Sequence, residues 1–308
     1  MCAHKTYSDW GDTTCTTCPD GYLCPEKTQF PISQLSCPRG YYCIAGEQFP
    51  CPAGYFGIKE RGVSQSDACS VCPSGYNCIE GTEHFALAPC PLGAYCKDGI
   101  YAACPEGTTG DTLYGVSLND CKTCDAGTSC SSGATTTTTC DQGYYCPAGV
   151  AYPGYPCPAG TFGGYKTGKT DPNECLVCPP GYYCPEGSAA PTPTDPGYYN
   201  PLQGIDSLDG VQLCPPKFYC PDTGMTNYLG YHCAPGHYCP AGSTSATGNP
   251  CPAGTYNDRI DVHDVRHCLP CPRGYTCDAG ATSNNGLMVE CTVGEFCELG
   301  SAPATVAI

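Results

Sequence analysis

Five Cys-x-x-Cys pairs punctuate the chain, at Cys15/Cys18, Cys69/Cys72, Cys121/Cys124, Cys175/Cys178 and Cys268/Cys271. Thiols at that spacing can do three kinds of chemistry: ligate zinc opposite a second pair, cycle as a redox dithiol, or enter disulfides. Four-thiolate zinc would need about eight sites for 32 cysteines, in a chain with six histidines. The Gly-Tyr and Ala-Gly-Thr phrases around the cysteines are not zinc-ribbon knuckles. A thioredoxin-type dithiol needs a βαβ setting, and no such pattern surrounds any pair. Disulfides are the expected chemistry.

Composition agrees. Leu, Ile, Val and Phe make up about 13% of the 308 residues, while Gly (39), Pro (32) and Cys (32) are abundant. So few aliphatic side chains cannot build one large core, and such a chain must be stapled covalently. Cysteine at this density belongs to a disulfide scaffold in an oxidising compartment. The net charge of −16 leaves no basic face for phosphates, so nucleic acid is not an expected partner. No apolar run is long enough to span a membrane. The opening Met1-Cys2-Ala3-His4-Lys5 lacks the apolar stretch of a signal peptide.

Other chemistry is sparse. His4, His84, His232, His237, His263 and His267 lie in no triad or HExxH context. Asp258, Asp261, His263 and Asp264 gather in DRIDVHD, a cation-site candidate without EF-hand spacing, or else a solvated loop. The glycines sit in Cys-Pro-x-Gly turns and not before helices, so none cradles a phosphate. Neither an enzyme nor a cofactor is expected, and Trp10 is expected to cover a disulfide.

The elements that position the cysteines are repeats. The Cys-x-x-Cys pairs recur at steps of 54, 52, 54 and 93 residues. Each unit opens as in Cys69-Ser-Val-Cys72-Pro-Ser-Gly-Tyr-Asn-Cys78 and continues to a second small module, as in Cys90-Pro-Leu-Gly-Ala-Tyr-Cys96. A third phrase, such as CPAGTFG from Cys157, begins a long loop that closes on the next pair. The expected fold is an elongated tandem array of small disulfide-rich repeats, with short β-hairpins and turns and almost no helix. Its expected divisions are a partial repeat 1–14, repeats 15–68, 69–120 and 121–174, a fourth repeat 175–267 with an insertion, and a partial fifth 268–308. Both ends fall mid-phrase, as in a window cut from a longer array.

Long loops are expected to close as Cys2–Cys15, Cys51–Cys69, Cys104–Cys121, Cys157–Cys175 and Cys251–Cys268. Within the small modules two schemes compete. Each module closes on itself, Cys72 to Cys78 and Cys90 to Cys96, or adjacent modules exchange partners, Cys72 to Cys90 and Cys78 to Cys96. The three modules Cys178/Cys184, Cys214/Cys220 and Cys233/Cys239 favour self-closure, since exchange in twos strands one of three. Pairing each cysteine with the next in sequence uses all 32. DPGYYN then reads as a module that lost both cysteines, at Asp195 and Asn200, or as an ordinary Pro-Gly turn.

The GYxC and CPAGTY grammar resembles the ephrin-receptor-like cysteine-rich repeats, related in style to tumour-necrosis-factor-receptor modules, over essentially the whole chain. Long arrays of this kind are also similar to surface and flagellar-hair (mastigoneme) proteins of algae and other protists. The resemblance implies a secreted chain at a cell or flagellar surface. It also implies hydroxylation and glycosylation of Pro191, Pro193 and Pro303 in an algal host. The spacers SSGATTTTT, PEGSAAPTPTDPG and PAGSTSATGNP offer O-glycan acceptors at Thr135, Thr136, Thr137, Thr138, Thr139, Ser188, Thr192, Thr194, Ser243, Thr244, Ser245 and Thr247, or are plain flexible linkers. No Asn-x-Ser/Thr sequon is present. The expected function is a structural filament, hair or coat, its partners copies of itself or another filament or surface protein. The alternative is a receptor ectodomain that holds a protein ligand, with the insertion 185–213 as its irregular patch.

Overall fold

Cysteines six residues apart pair only if the backbone turns sharply between them. The phrase Cys-x-x-Gly supplies the turn. The computed structural model describes residues 2–8, 13–25 and 35–303; Trp10 lies outside them. In Cys178-Pro-Pro-Gly181-Tyr-Tyr-Cys184-Pro-Glu-Gly187 the phrase occurs twice, and both glycines have positive φ (+83° and +74°). Proline fixes the entry dihedral and glycine takes the left-handed exit. Two turns offset by six residues set Cys178 and Cys184 side by side, Cα atoms 5.9 Å apart, and a disulfide joins them.

Sixteen disulfides use all the cysteines. Eleven close a separation of six residues, as at Cys72–Cys78 and Cys90–Cys96, so modules close on themselves and do not exchange partners. Five close the longer loops: Cys2–Cys15, Cys51–Cys69, Cys104–Cys121, Cys157–Cys175 and Cys251–Cys268.

Among the described residues sixteen modules then run out and back as hairpins. The fourth and fifth residues after its opening cysteine pair with the two residues before the next module. Tyr182–Tyr183 pairs Thr192–Pro193 in this way, Tyr144–Tyr145 pairs Tyr155–Pro156, and Thr128–Ser129 pairs Thr138–Thr139. Twelve modules show two-stranded antiparallel sheets, and four more a single bridge, such as Tyr76 to Pro89. The ends of the Thr- and Pro-rich spacers, Thr138–Thr139 and Thr192–Pro193, are therefore return strands of hairpins.

Backbone hydrogen bonds join successive modules. At all sixteen junctions the first residue of a module donates its N–H to the carbonyl of the left-handed turn residue before it, from Cys18 to Lys5 (2.9 Å) through Cys291 to Gly274 (2.9 Å). The turn residue donates in turn to a carbonyl six residues into the next module, as from Gly107 to Cys130 (2.9 Å). Two modules on, backbones nearly touch: a Cβ on Gly107 would lie 2.0 Å from the carbonyl oxygen of Gly149. Here glycine is needed for space as well as for φ.

The core is made of half-cystines, joined by few other buried apolar side chains: Ala68, Ala94, Val150, Met225, Val262 and Ala281. Aromatic rings lie half-buried against them. Tyr42 and Tyr55 cover Cys51 and Cys69, and Tyr256 covers Cys271 and Cys277. Helix is confined to Gln65–Ala68 and a few 3₁₀ turns among the described residues.

The chain divides into two compact units. One contains 1–141, 146–154 and 168–170; the other contains 142–145, 155–167 and 171–308.

Candidate functional site

A long-loop module has a fixed local anatomy. A polar residue caps a short helical turn, and the closing cysteine follows that turn directly. Ser117 precedes Leu118–Asp120 and Cys121; Asp171 precedes Pro172–Glu174 and Cys175; Asp264 precedes Val265–His267 and Cys268. The two residues after that cysteine pair with positions four and five of the module, as Phe162 with Leu176 and Thr161 with Val177. Position six is Ser8 in the Cys2 module and otherwise glycine (Gly57, Gly110, Gly163) or asparagine (Asn257).

The stretch around DPGYYN has the same anatomy and no staple. Ser207 precedes the 3₁₀ turn Leu208–Gly210, and Val211 stands where the closing cysteine stands elsewhere. Tyr199 pairs with Gln212 and Tyr198 with Leu213. Position six is Asn200, bonded as Asn257 is. Its amide donates to the Tyr182 carbonyl (2.8 Å), and its oxygen accepts from the Leu202 N–H (2.9 Å). Asn257 bonds the His237 carbonyl (3.4 Å) and the Arg259 N–H (2.9 Å) likewise.

The opening position is Thr194. Its N–H donates to the Gly181 carbonyl (2.9 Å), as Cys178 does to Gly160. The missing pair is thus Thr194 and Val211, a long-loop staple 17 residues apart, the separation of Cys104–Cys121. This corrects the assignment to Asp195 and Asn200. It also recasts the insertion in 175–267. Long-loop modules begin at Cys2, Cys51, Cys104, Cys157, Thr194 and Cys251, two short modules follow each, and only the Cys157 group has one. The segment is one repeat short of a module followed by a complete repeat short of a staple.

The replacement leaves a mark. The Thr194 side chain is fully buried, and its hydroxyl has no hydrogen-bond partner. In this module and the next, the aromatic rings of Tyr199, Phe218, Tyr228 and Tyr231 pack on Cys214, Cys220 and Met225. Burial, and then the neighbouring Tyr228, push the Tyr199 phenol above its ordinary pKa. No family model matches the chain, and no curated protein matches it.

The O-glycan candidates divide by exposure. Thr135 to Thr139, Thr192 and Thr244 are exposed. Ser188 is half-buried, and its hydroxyl closes its own turn on the Pro185 carbonyl (2.6 Å). Ser243 does the same to Pro240 (2.7 Å) and is buried. Thr194 and Ser243 present almost no surface to which a sugar could attach in the folded chain.

The carboxylates of DRIDVHD do not converge. Asp258 accepts from the Ser283 N–H (2.6 Å), Asp261 meets the His232 ring (2.6 Å), and Asp264 holds Arg266 (2.9 Å). The Arg266 guanidinium and amide hold the Asp264 carboxyl far below its usual range. Among the described residues no three metal-capable side chains gather, and no helix is long and apolar enough to cross a membrane.

Sequence reasoning missed Val211 entirely. The signal was Ser-Leu-Asp-Gly before it: a polar cap and three residues of turn, the same spacing that precedes Cys121 in Ser117-Leu-Asn-Asp.

Proposed function

We propose that the chain is an extracellular structural protein that assembles with copies of itself, or with another surface protein, into a filament, flagellar hair or surface coat. The observation that carries this reading is the repeated junction. One backbone bond recurs at sixteen boundaries, made by cysteine, glycine and a few other residues through main-chain atoms alone. Such a chain presents a periodic surface in place of a single differentiated pocket, and periodic surfaces suit assembly. Exposed apolar side chains are likewise spread along it, from Val71, Ile79 and Leu87 to Leu176, Val177 and Leu269. Sixteen intramolecular disulfides belong to an oxidising, extracellular setting. Exposed hydroxyls at Thr135 to Thr139 and Thr192 suit O-linked glycans on the return strands.

A second reading has its own observation. Tyr199, Phe218, Tyr228 and Tyr231 gather where the repeat breaks its pattern. An aromatic cluster at an irregular place suits a receptor ectodomain that holds a protein ligand there.

Material from the native source, sized by light scattering and electron microscopy, separates the two. Polymers carrying a pentose or hexose ladder in intact mass support the structural reading. A monomer that captures a soluble protein, and loses it on Tyr228→Ala, supports the receptor.

A further inference from the structure

Between Cys184 and Cys214 the chain runs 29 residues without a cysteine, the longest such stretch in the sequence. It contains a module whose backbone bonds are those of its stapled relatives. Gly197 donates to Cys220 (2.8 Å), Cys214 to Gly197 (2.8 Å), and Gly224 to Thr194 (2.9 Å). What differs is the cross-link. In the Cys157 module the staple holds the two ends of the loop 5.9 Å apart, Cα to Cα, whether or not the hairpin is formed. In the Thr194 module only non-covalent bonds hold them. Once those bonds break, the loop is free.

We propose that residues 185–213 are the release element of the chain, holding the long loop that no disulfide closes, which opens and lengthens while the stapled long loops stay closed. The inference concerns the single chain and holds whether or not the chain assembles.

Two independent features support it. A disulfide restrains the opened state by loop-closure entropy, so its loss raises the opening equilibrium of a 17-residue loop by about 100-fold. The buried, unpartnered Thr194 hydroxyl weakens the closed state as well, because it lost its water on folding and gained no bond. Tension sharpens the contrast. A stapled long-loop module shields its loop, since force passes through the disulfide. The unstapled module yields its whole loop: 17 residues at roughly 3.3–3.6 Å each, less the few ångströms a staple would span, give about 50 Å of extra length.

Hydrogen exchange on the intact, oxidised protein compares matched amides. The Asn200 and Cys214 N–H groups should exchange about 100-fold faster than those of Gly163 and Cys178, their counterparts in the Cys157 module. The oxidised double variant Thr194→Cys/Val211→Cys should remove the difference and shorten the first step in single-molecule pulling by about 50 Å. Thr194→Val, which keeps the shape and removes the orphan hydroxyl, should slow exchange at Asn200 by about tenfold. That variant decides the matter should the double cysteine variant mispair. Equal protection of Asn200 and Gly163 in the unmodified chain would overturn the proposal, as would a first pulling step that the added cross-link leaves unchanged.

Discussion

Replacing Gly107 by alanine tests whether modules are locked to the second module along, and not only to the next. Gly107 has φ +78°, and a Cβ there would lie 2.0 Å from the backbone oxygen of Gly149, roughly 1.5 Å inside ordinary contact. The left-handed conformation alone costs an alanine about 1–2 kcal/mol. To make room, two backbones must part by more than an ångström. Three bonds sit at that place: Gly107 N–H to Cys130 (2.9 Å), Cys124 N–H to Gly107 (3.0 Å) and Gly149 N–H to Cys124 (2.9 Å). Losing two of them adds about 2 kcal/mol, for a total near 3–4 kcal/mol. Gly274 provides the control. It occupies the same turn position at φ +84°, and among the described residues nothing lies within 4 Å of its Cβ direction. Gly274→Ala should therefore cost only the conformational part, about 1–2 kcal/mol. The difference, about 2 kcal/mol, is roughly a 30-fold change in local opening. Amide exchange of Cys124 and Gly149 in one variant, and of Cys291 in the other, reads it directly. Equal losses would refute the packing argument and leave glycine needed for φ alone.

Three further outcomes follow from the same geometry. Cys69→Ser strands Cys51 and should loosen the 51–69 loop, a cost of about 3 kcal/mol confined to that module and its neighbours; global unfolding on circular dichroism would contradict modular independence. Asp264, held below the ordinary carboxylate value of 3.8 by Arg266 and the helical turn it caps, contributes stability that is present above that value and lost as pH falls through its lowered folded pKa. The Arg266 and Cys268 amides should stay protected from neutral pH down to about pH 4, and Asp264→Ala should remove that protection at every pH; loss already between about pH 6 and 4 would count against Asp264 as the group responsible. Intact mass before and after reduction without alkylation should rise by 32 hydrogens for sixteen disulfides, and a smaller gain with release of metal would count against them.

Much of this fold was legible because each module is written in four residues. Cys-Pro-x-Gly names its own turn, and the glycine dictates which way the chain leaves. Self-closure of Cys178/Cys184 could be argued from an odd number of modules, and it is what forms. Two things were hidden. Thr192–Pro193 reads as a linker until Tyr182–Tyr183 is seen lying beside it, because a two-residue strand has no periodicity to detect. The Thr194/Val211 pair was hidden because neither residue resembles a cysteine. Only register, with Tyr199 opposite Gln212 as Phe162 is opposite Leu176, shows which positions a staple would join.

Because the cysteines pair consecutively, first with second and third with fourth along the chain, the order of synthesis and the order of oxidation coincide. As the chain emerges, each second thiol meets one waiting partner, and the earlier ones are already consumed. No bond must wait for distant sequence, and none must be undone by an isomerase to let a later one form. Gain or loss of a whole module likewise changes the number of thiols by two and leaves none unpaired. The repeat that lacks a module after Cys184 is an instance of that arithmetic, so the number of modules can change in single steps without rewriting the pairing of the rest.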